Sequence, residues 1–468
     1  MIKAKLGIVG LATMGQNLAL NVARHGIPVA VYNRTADRTA ALMARVQGEP
    51  VFPASTLRDL VEATEPPRAI LLMVQAGKPV DEVLEELFAL LRPGDLVADG
   101  GNSHVEDTER RAKVAEARGL LYLGVGISGG EAGALHGPSI MVGGHEQGYR
   151  RVEAVFKAIA AQGPEGPCCG YFGPGSAGHY VKMVHNGVEY AIMQAIAESY
   201  DLLKRGLGRG PDHIGSIFAQ WNKKLGSYLL EISVDILRFR DGDTGQPLVE
   251  LVKDTAEQKG TGKWSTQAAL DLGAPTPSLA AAVFARIVSA LRDERLQAEV
   301  VLPGPTPGLP HDPAQFIQDL EKAFGLALVV AYAQGFRQLQ QAAAHRGWRL
   351  SLAEVARVWL AGCIIRTKLL RTMGDVFLRE PGLPFLLLAE PFRTMWAEDQ
   401  GAWRRVVAWA CTHGIPVPVL SSSLELVDAY RTGRLPANLI QAQRDCFGAH
   451  TYERLDRPGK FHTPWRTE

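Results

Sequence analysis

Lys182, His185, Asn186 and Glu189, in the run GHYVKMVHNGVEY, stand at i, i+3, i+4 and i+7, so a helix there carries all four on one face. Their neighbours Val181, Met183, Val184 and Val188 are apolar and fall on the other sides. A polar stripe on an otherwise apolar helix faces an internal cleft. Burial lowers the pKa of a lysine and raises that of a glutamate, which brings both toward the range where protons move readily near neutral pH. The plainer reading is a solvated face with an i, i+7 charge pair.

The elements that must position such a cleft begin at the amino terminus. Leu6 to Gly10 reads as a buried strand running into GLATMG; a helix (Asn17 to Arg24) and a second strand (Val29 to Tyr32) follow. Gly10, Ala12 and Gly15 occupy the three positions of a dinucleotide-binding turn, with alanine a departure at the second, and Met14 lies between them. The first position permits the tight turn, the second lets the backbone approach a pyrophosphate, and the third packs helix on strand. After the second strand the chain reads Asn33-Arg34-Thr35. A carboxylate there would suit the ribose hydroxyls of NAD, whereas arginine grips a 2′-phosphate, so NADP is the expected cofactor.

Ala69 to Val74, Leu96 to Ser103, Leu120 to Gly130 and Pro138 to Gly144 read as further strands of an α/β sheet. Ligands bind at the carboxyl ends of such strands. Val74 is therefore expected at the cofactor, Asn102 at both cofactor and substrate, and Ser128-Gly129-Gly130 at the substrate, where the glycines bare backbone N–H groups for a carboxylate. Gly126 to Gly130 also spells G-x-S-x-G, the nucleophile-elbow pattern of hydrolases. The dinucleotide turn already occupies the start of this sheet, so that reading is rejected.

The chain's 468 residues suffice for two or three packed regions. A formal charge of +1 and no extended basic block give no footing for a nucleic-acid partner. Five cysteines, Cys168 and Cys169 adjacent, suit a reducing cytoplasm better than a disulfide framework. No apolar run reaches membrane-spanning length, and no signal peptide precedes the first strand.

After the Gly/Pro-rich hinge Gly163 to Gly178, helical patterns dominate. Gly178 to Arg205 is echoed around Ala314 to Arg346: each long helix ends in Arg-Gly and precedes a shorter amphipathic segment with a tryptophan, Trp221 or Trp359. From Leu435 onward the chain reads as an extended tail that must pack on something else. Asp241, Asp243 and Gly245 begin like a calcium loop, but the twelfth position is Val252, so this is a turn and no metal site is expected. Pro303 to Pro313 reads as a rigid exposed connection.

In one order over nearly its full length, GLATMGQNLALN, YNRT, DGGNS, GISGGEAGALHGPSIMVGG, GHYVKMVHNGVEY, EQKGTGKW, VFAR and LPANLIQAQRDCFGAHTYER make the chain resemble the 6-phosphogluconate dehydrogenase (decarboxylating) family. The resemblance implies an α/β Rossmann N-terminal domain, a large all-α domain with internal duplication and a C-terminal tail, here residues 1–177, 178–434 and 435–468. It implies oxidation and decarboxylation of 6-phospho-D-gluconate by NADP, without metal, in the oxidative branch of the pentose phosphate pathway. By motif match, Lys182 is the implied general base and Glu189 the implied acid. Asn102, Ser128, Gly129, Gly130, His185 and Asn186 are implied to hold the sugar acid. Tyr190, Lys259, Thr261 and Arg286 are implied at its phosphate, with Arg444 and His450 from the tail of a second subunit of a homodimer. Outside the family, Lys259 in a glycine-rich loop is the residue best suited to an anion. The alternatives are a 3-hydroxyacid dehydrogenase of the hydroxyisobutyrate type, which resembles only the first part of the chain, and a non-catalytic NADP-binding sensor.

Overall fold

The computed structural model describes residues 3–258, 260–305 and 308–466; Lys259, expected at the phosphate, lies outside the described residues. The first strands are β1 (Leu6–Val9), β2 (Val29–Tyr32), β3 (Val51–Pro53), β4 (Ala69–Leu72), β5 (Leu96–Asp99), β6 (Leu121–Ser128) and β7 (Ser139–Gly144). A short hairpin, β8 (Gln162–Gly163) with β9 (Gly166–Pro167), precedes β10 (Cys169–Tyr171). Eight of these strands form one sheet in the order β10-β7-β6-β5-β4-β1-β2-β3. Its described pairs are parallel except β6 with β7. Leu6 to Val9 are all buried, as a strand covered on both faces requires. The covering helices are α1 (Thr13–Arg24), α2 (Ala36–Met43), α3 (Leu57–Ala63), α4 (Lys78–Leu90), α5 (Val105–Glu116), α6 (Gly130–His136) and α7 (Glu146–Ile159).

Two details of this first region differ from the sequence expectation. The first helix begins at Thr13, not Asn17, so the second half of the dinucleotide turn is its first turn and its open N–H groups face the mouth of β1. The expected hinge contains β10, which pairs with β7 through Cys169↔Ile140; three residues among glycines and prolines carry too little pattern to read as a strand.

The rest is helical: α8 (Ala177–Asp201), α9 (Pro211–Leu225), α10 (Tyr228–Arg238), α11 (Thr261–Leu272), α12 (Pro277–Ala290), α13 (Arg292–Val301), α14 (Pro313–Arg346), α15 (Leu352–Val358), α16 (Leu369–Arg379), α17 (Phe392–Thr412), α18 (Pro418–Arg431) and α19 (Ala437–Gly448). Each of the long helices α8 and α14 is followed by a packed pair, α9 with α10 and α15 with α16, as the echo in the sequence suggested. Asp312 Oδ1 caps α14 by accepting from Ala314 N and Gln315 N, both at 3.0 Å, with Pro313 in the first turn. Residues 241–245 form a turn closed by Thr244 N on Asp241 Oδ2 at 2.8 Å. The tail is not simply extended: it forms α19 and a hairpin of β11 (Tyr452–Glu453) with β12 (Lys460–Phe461). The solvent-inaccessible Asp445 carboxylate joins them. It accepts from Thr451 N (3.0 Å), His462 Nδ1 (2.9 Å), Thr463 N (3.0 Å) and Trp465 Nε1 (2.7 Å). Burial opposes its ionisation, but these bonds prevail and hold its pKa at about 2.

Helix α8 lies directly on β6 and β7 because the contact is made of glycine. A Cβ on Gly178 would stand 2.4 Å from Gly124 O and from Gly143 N, and one on Gly126 would stand 2.4 Å from Lys182 Cβ. Both distances are far below van der Waals contact, so only hydrogen fits. Gly178→Ala is expected to lift α8 from the sheet and lower stability by about 1–3 kcal/mol, the usual penalty of overpacking. A urea unfolding midpoint equal to wild type would show that the seam has slack.

Candidate active site

Helix α8 carries the polar stripe and the seam fixes its rotation. Lys182, His185 and Asn186 are buried and turn toward Ser128 at the carboxyl end of β6. Lys182 Nζ donates to Asn186 Oδ1 at 2.7 Å and to Ser128 Oγ at 3.2 Å, and lies 3.4 Å from His185 Nδ1. His185 Nε2 is 3.3 Å from Ser128 Oγ, and its ring meets Trp359 edge-on at 5.6 Å. Asn186 Nδ2 donates to Thr261 Oγ1 at 2.9 Å, which ties α8 to the start of α11.

These partners of Lys182 are neutral. Glu189 Oε2 reaches only to 3.9 Å from His185 Nδ1 and forms no hydrogen bond in the cluster. Burial therefore decides the electrostatics: it lowers the Lys182 pKa against an upward pull from Glu189 and Cys363. Burial likewise raises Glu189 above its ordinary 4.5, with Lys182 and Arg286 opposing. His185 is driven well below its usual range by burial and then by the Lys182 charge, so its ring is neutral. A lysine that can lose its proton beside a carboxyl that can keep one forms an acid–base pair.

One end of the cleft holds Tyr190, Thr261 and Arg286. The Arg286 guanidinium sits over the Tyr190 ring at 3.5 Å, and a Cβ on Gly262 would meet that ring at 2.5 Å. Gly129 and Gly130 head α6 just after Ser128. Asn102 is exposed on the loop after β5, which is anchored from beneath by Asp99. Asp99 accepts from Gly101 N at 3.1 Å and Ser103 Oγ at 2.6 Å, and buried Arg111 reaches Ser103 Oγ at 3.1 Å and Asp81 Oδ1 at 2.8 Å. This brace escaped the sequence reading; an aspartate closing a strand before Gly-Gly was its only signal. Arg444 and His450 are not brought to this cluster. Among the described residues Arg444 bonds Gln441 at 3.1 Å and the His450 ring meets Phe447 at 5.8 Å, both within the exposed tail.

The dinucleotide turn opens on a cleft of about 510 Å³ lined by Gly10, Ala12, Arg34, Thr35, Arg38 and Val74. A Cβ on Gly10 would fall 2.5 Å from Met73 O, and one on Gly15 1.9 Å from Gly10 O, so the turn needs bare backbone. That bareness and the two exposed arginines fit a dinucleotide with an additional phosphate. Asn33 is a brace here: its Oδ1 accepts from Leu11 N at 2.8 Å and its Nδ2 donates to Thr35 O at 3.0 Å. Met14 packs half-buried against the core of this domain. Arg38, one helical turn beyond Arg34, was not singled out from sequence, although that spacing alone places both at one helix start.

Residues 5–173 match the NAD binding domain of 6-phosphogluconate dehydrogenase, and residues 178–465 match its C-terminal domain. The chain belongs to the 6-phosphogluconate dehydrogenase family. It is 51% identical to a decarboxylating 6-phosphogluconate dehydrogenase of Synechococcus elongatus, over 99% of this chain and 100% of that one. An NAD(+)-dependent decarboxylating member from Bacillus subtilis is 48% identical over 98% of this chain and 99% of its own. The 6-phosphogluconate dehydrogenase of Plasmodium falciparum, described in apo form and in complexes with its cofactor NADP+ and its substrate 6-phosphogluconate, superposes with a TM-score of 0.96 at 38% identity, covering 99% and 100%. Family members thus differ in cofactor, which makes the arginines at the end of β2 the informative local feature.

The two shifted groups give stability opposite pH slopes. Glu189 binds a proton more tightly folded than unfolded, so its contribution is full below pH 4.5 and is lost as pH rises through its raised folded value. Glu189→Gln is expected to flatten that fall, seen as a urea midpoint difference from wild type that grows with pH across this window. A difference that does not vary with pH would show that the carboxyl is not strained by burial.

Proposed function

We propose that the chain converts 6-phospho-D-gluconate to D-ribulose 5-phosphate and CO2 with NADP, with Lys182 and Glu189 as its catalytic residues. The observation that carries the mechanism is the burial of the Lys182 amine among neutral partners, which favours a base. Neutral Lys182 accepts the proton of the 3-hydroxyl. The bare turn at Gly10, Ala12 and Gly15 would hold NADP, which would supply the acceptor for the hydride that leaves C3. Lys182, now an ammonium, donates to the C3 oxygen and draws in the electron pair released as the C1–C2 bond breaks and CO2 departs. Protonated Glu189 then delivers a proton to C1 of the five-carbon enediol. Ser128, Asn186 and His185 hold Lys182 in line, and they and Asn102, Gly129 and Gly130 offer donors to the sugar acid. Tyr190, Thr261 and Arg286 suit the phosphate. Thr35 and the bare turn at Gly10, Ala12 and Gly15 suit the dinucleotide, with Met14 and Val74 beside it.

A homodimer completes this reading. Phe284 on α12 is 63% exposed and Val300 on α13 is 85% exposed, and Leu439, Ile440 and Phe447 of α19 are exposed too, apolar surface that a second copy would cover. Arg444 and His450 would then serve the partner's phosphate site. The free thiols of Cys168, Cys169 and Cys363 suit a reducing cytoplasm, and the proposed reaction belongs to the oxidative branch of the pentose phosphate pathway. No helix of the described residues is long and apolar enough to cross a membrane.

Lys182→Met is expected to lower kcat by about 10²–10⁴-fold while NADP affinity holds and the unfolding midpoint does not fall. An NADPH absorbance assay within a few-fold of wild type would remove Lys182 from this role. Arg34→Asp is expected to move the NADP/NAD ratio of kcat/KM toward NAD; an unchanged ratio would mean that the 2′-phosphate is read elsewhere. Exchanging subunits between Lys182→Met and Arg444→Ala homodimers is expected to restore about a quarter of wild-type activity, because half the dimers are mixed and one site in each is whole. Exchange verified by mass without recovered activity would confine Arg444 to its own chain.

A further inference from the structure

The loop after β5 carries Asn102 and ends at His104, the N-cap of α5. The first turn of α11 carries Thr261, bonded to Asn186, and Gly262, packed on Tyr190. One loop belongs to the cofactor domain, the other helix to the substrate cleft. They meet where the His104 imidazole and the Trp264 indole stand edge to face, with centroids 5.1 Å apart and planes at 77°. Neither end is loose. His104 Nδ1 accepts from Glu106 N at 3.4 Å, and the loop behind it is held by Asp99. Trp264 packs on the helical core. Beside them Arg346 of α14 bonds Glu106 Oε1 at 2.7 Å, a second tie across the same gap, but one between partly exposed charges and correspondingly weak.

We infer that the His104–Trp264 contact is a latch that fixes the Asn102 loop against the start of α11, and that both are positioning residues for turnover. The inference rests on the proposed reaction. The substrate must span from the Asn102 side of the cleft to Thr261 and Arg286, so the separation of these two segments sets where its C3 lies relative to Lys182 and the hydride acceptor. Hydride transfer is steep in that distance, whereas NADP touches only the Asn102 side and the rotatable sugar chain can follow a small displacement of either segment without losing its contacts. Loss of the latch therefore affects kcat more than either binary affinity. An edge-to-face aromatic pair contributes enough to change a rate on the order of tenfold.

The test compares His104→Ala, His104→Phe, Trp264→Leu and the double variant His104→Ala/Trp264→Leu with wild type. The assays are steady-state turnover of 6-phosphogluconate with NADP, the kcat isotope effect with C3-deuterated substrate, and calorimetric binding of each ligand alone. His104→Ala is expected to lose roughly tenfold in kcat, show a larger isotope effect and bind NADP and 6-phosphogluconate within about twofold of wild type. His104→Phe, which keeps the aromatic edge, is expected to recover kcat and isotope effect, and the double variant to be no worse than either single one. The latch is overturned if His104→Ala keeps its kcat, if His104→Phe is as poor as His104→Ala, if the single losses multiply in the double variant, or if His104→Ala loses affinity for one ligand in step with its rate. Should Trp264→Leu not fold, the two His104 variants decide alone. A wild-type protein without turnover would refute the proposed function itself, an outcome distinct from active wild type with unaffected variants.

Discussion

The seam of glycines under α8 is the constraint from which the site follows. Side chains normally hold a helix away from the sheet it covers; here Gly124, Gly126, Gly143 and Gly178 remove them, and backbone approaches backbone. That approach puts Lys182 at the carboxyl end of β6 and within reach of Ser128, instead of a side-chain layer above it. It also seals the lysine from water. The same rotation of α8 sends Val184 and Val188 into the helical core, so the stripe cannot turn outward without unpacking that core.

Burial without a paired carboxylate is the electrostatic consequence. An adjacent anion would have stabilised the ammonium and made a poor base. Asn186, Ser128 and His185 supply hydrogen bonds without charge, and Glu189 acts only from a distance, so desolvation outweighs attraction at Lys182. The arrangement is destabilising in isolation, and the apolar contacts of α8 with α14 and α12 offset it.

The parts that sequence revealed were local. The dinucleotide turn, the strands around it and the stripe on α8 each lie within one window, and period or spacing exposes them. The brace of Asp99 and Arg111 was invisible because it joins α5 to the end of β5 and, across about thirty residues of chain, to Asp81 in the first turn of α4, and arginine at a helix position gives no sign of being buried. Strand β10 was hidden by its composition, since its pairing with β7 rather than its three residues makes it a strand. The helical character of the tail was missed for the opposite reason. Its proline, glycine and charge suggested irregular chain, but ANLIQAQRDCFG between them has helix-forming residues and no breaker until its end.

Asp445 organises that tail around one carboxylate. Because its four donors are Thr451, between α19 and the hairpin, and His462, Thr463 and Trp465, after it, the segment is folded on itself. In the proposed homodimer, a subunit would therefore meet its partner with this arm already shaped. The ordering entropy of some twenty residues, about 1–2 kcal/mol each for the backbone alone, is lost during folding and not during association. Assembly of the proposed homodimer would then resemble the docking of two rigid bodies, its rate limited by orientation and not by the search of a flexible strand for its groove.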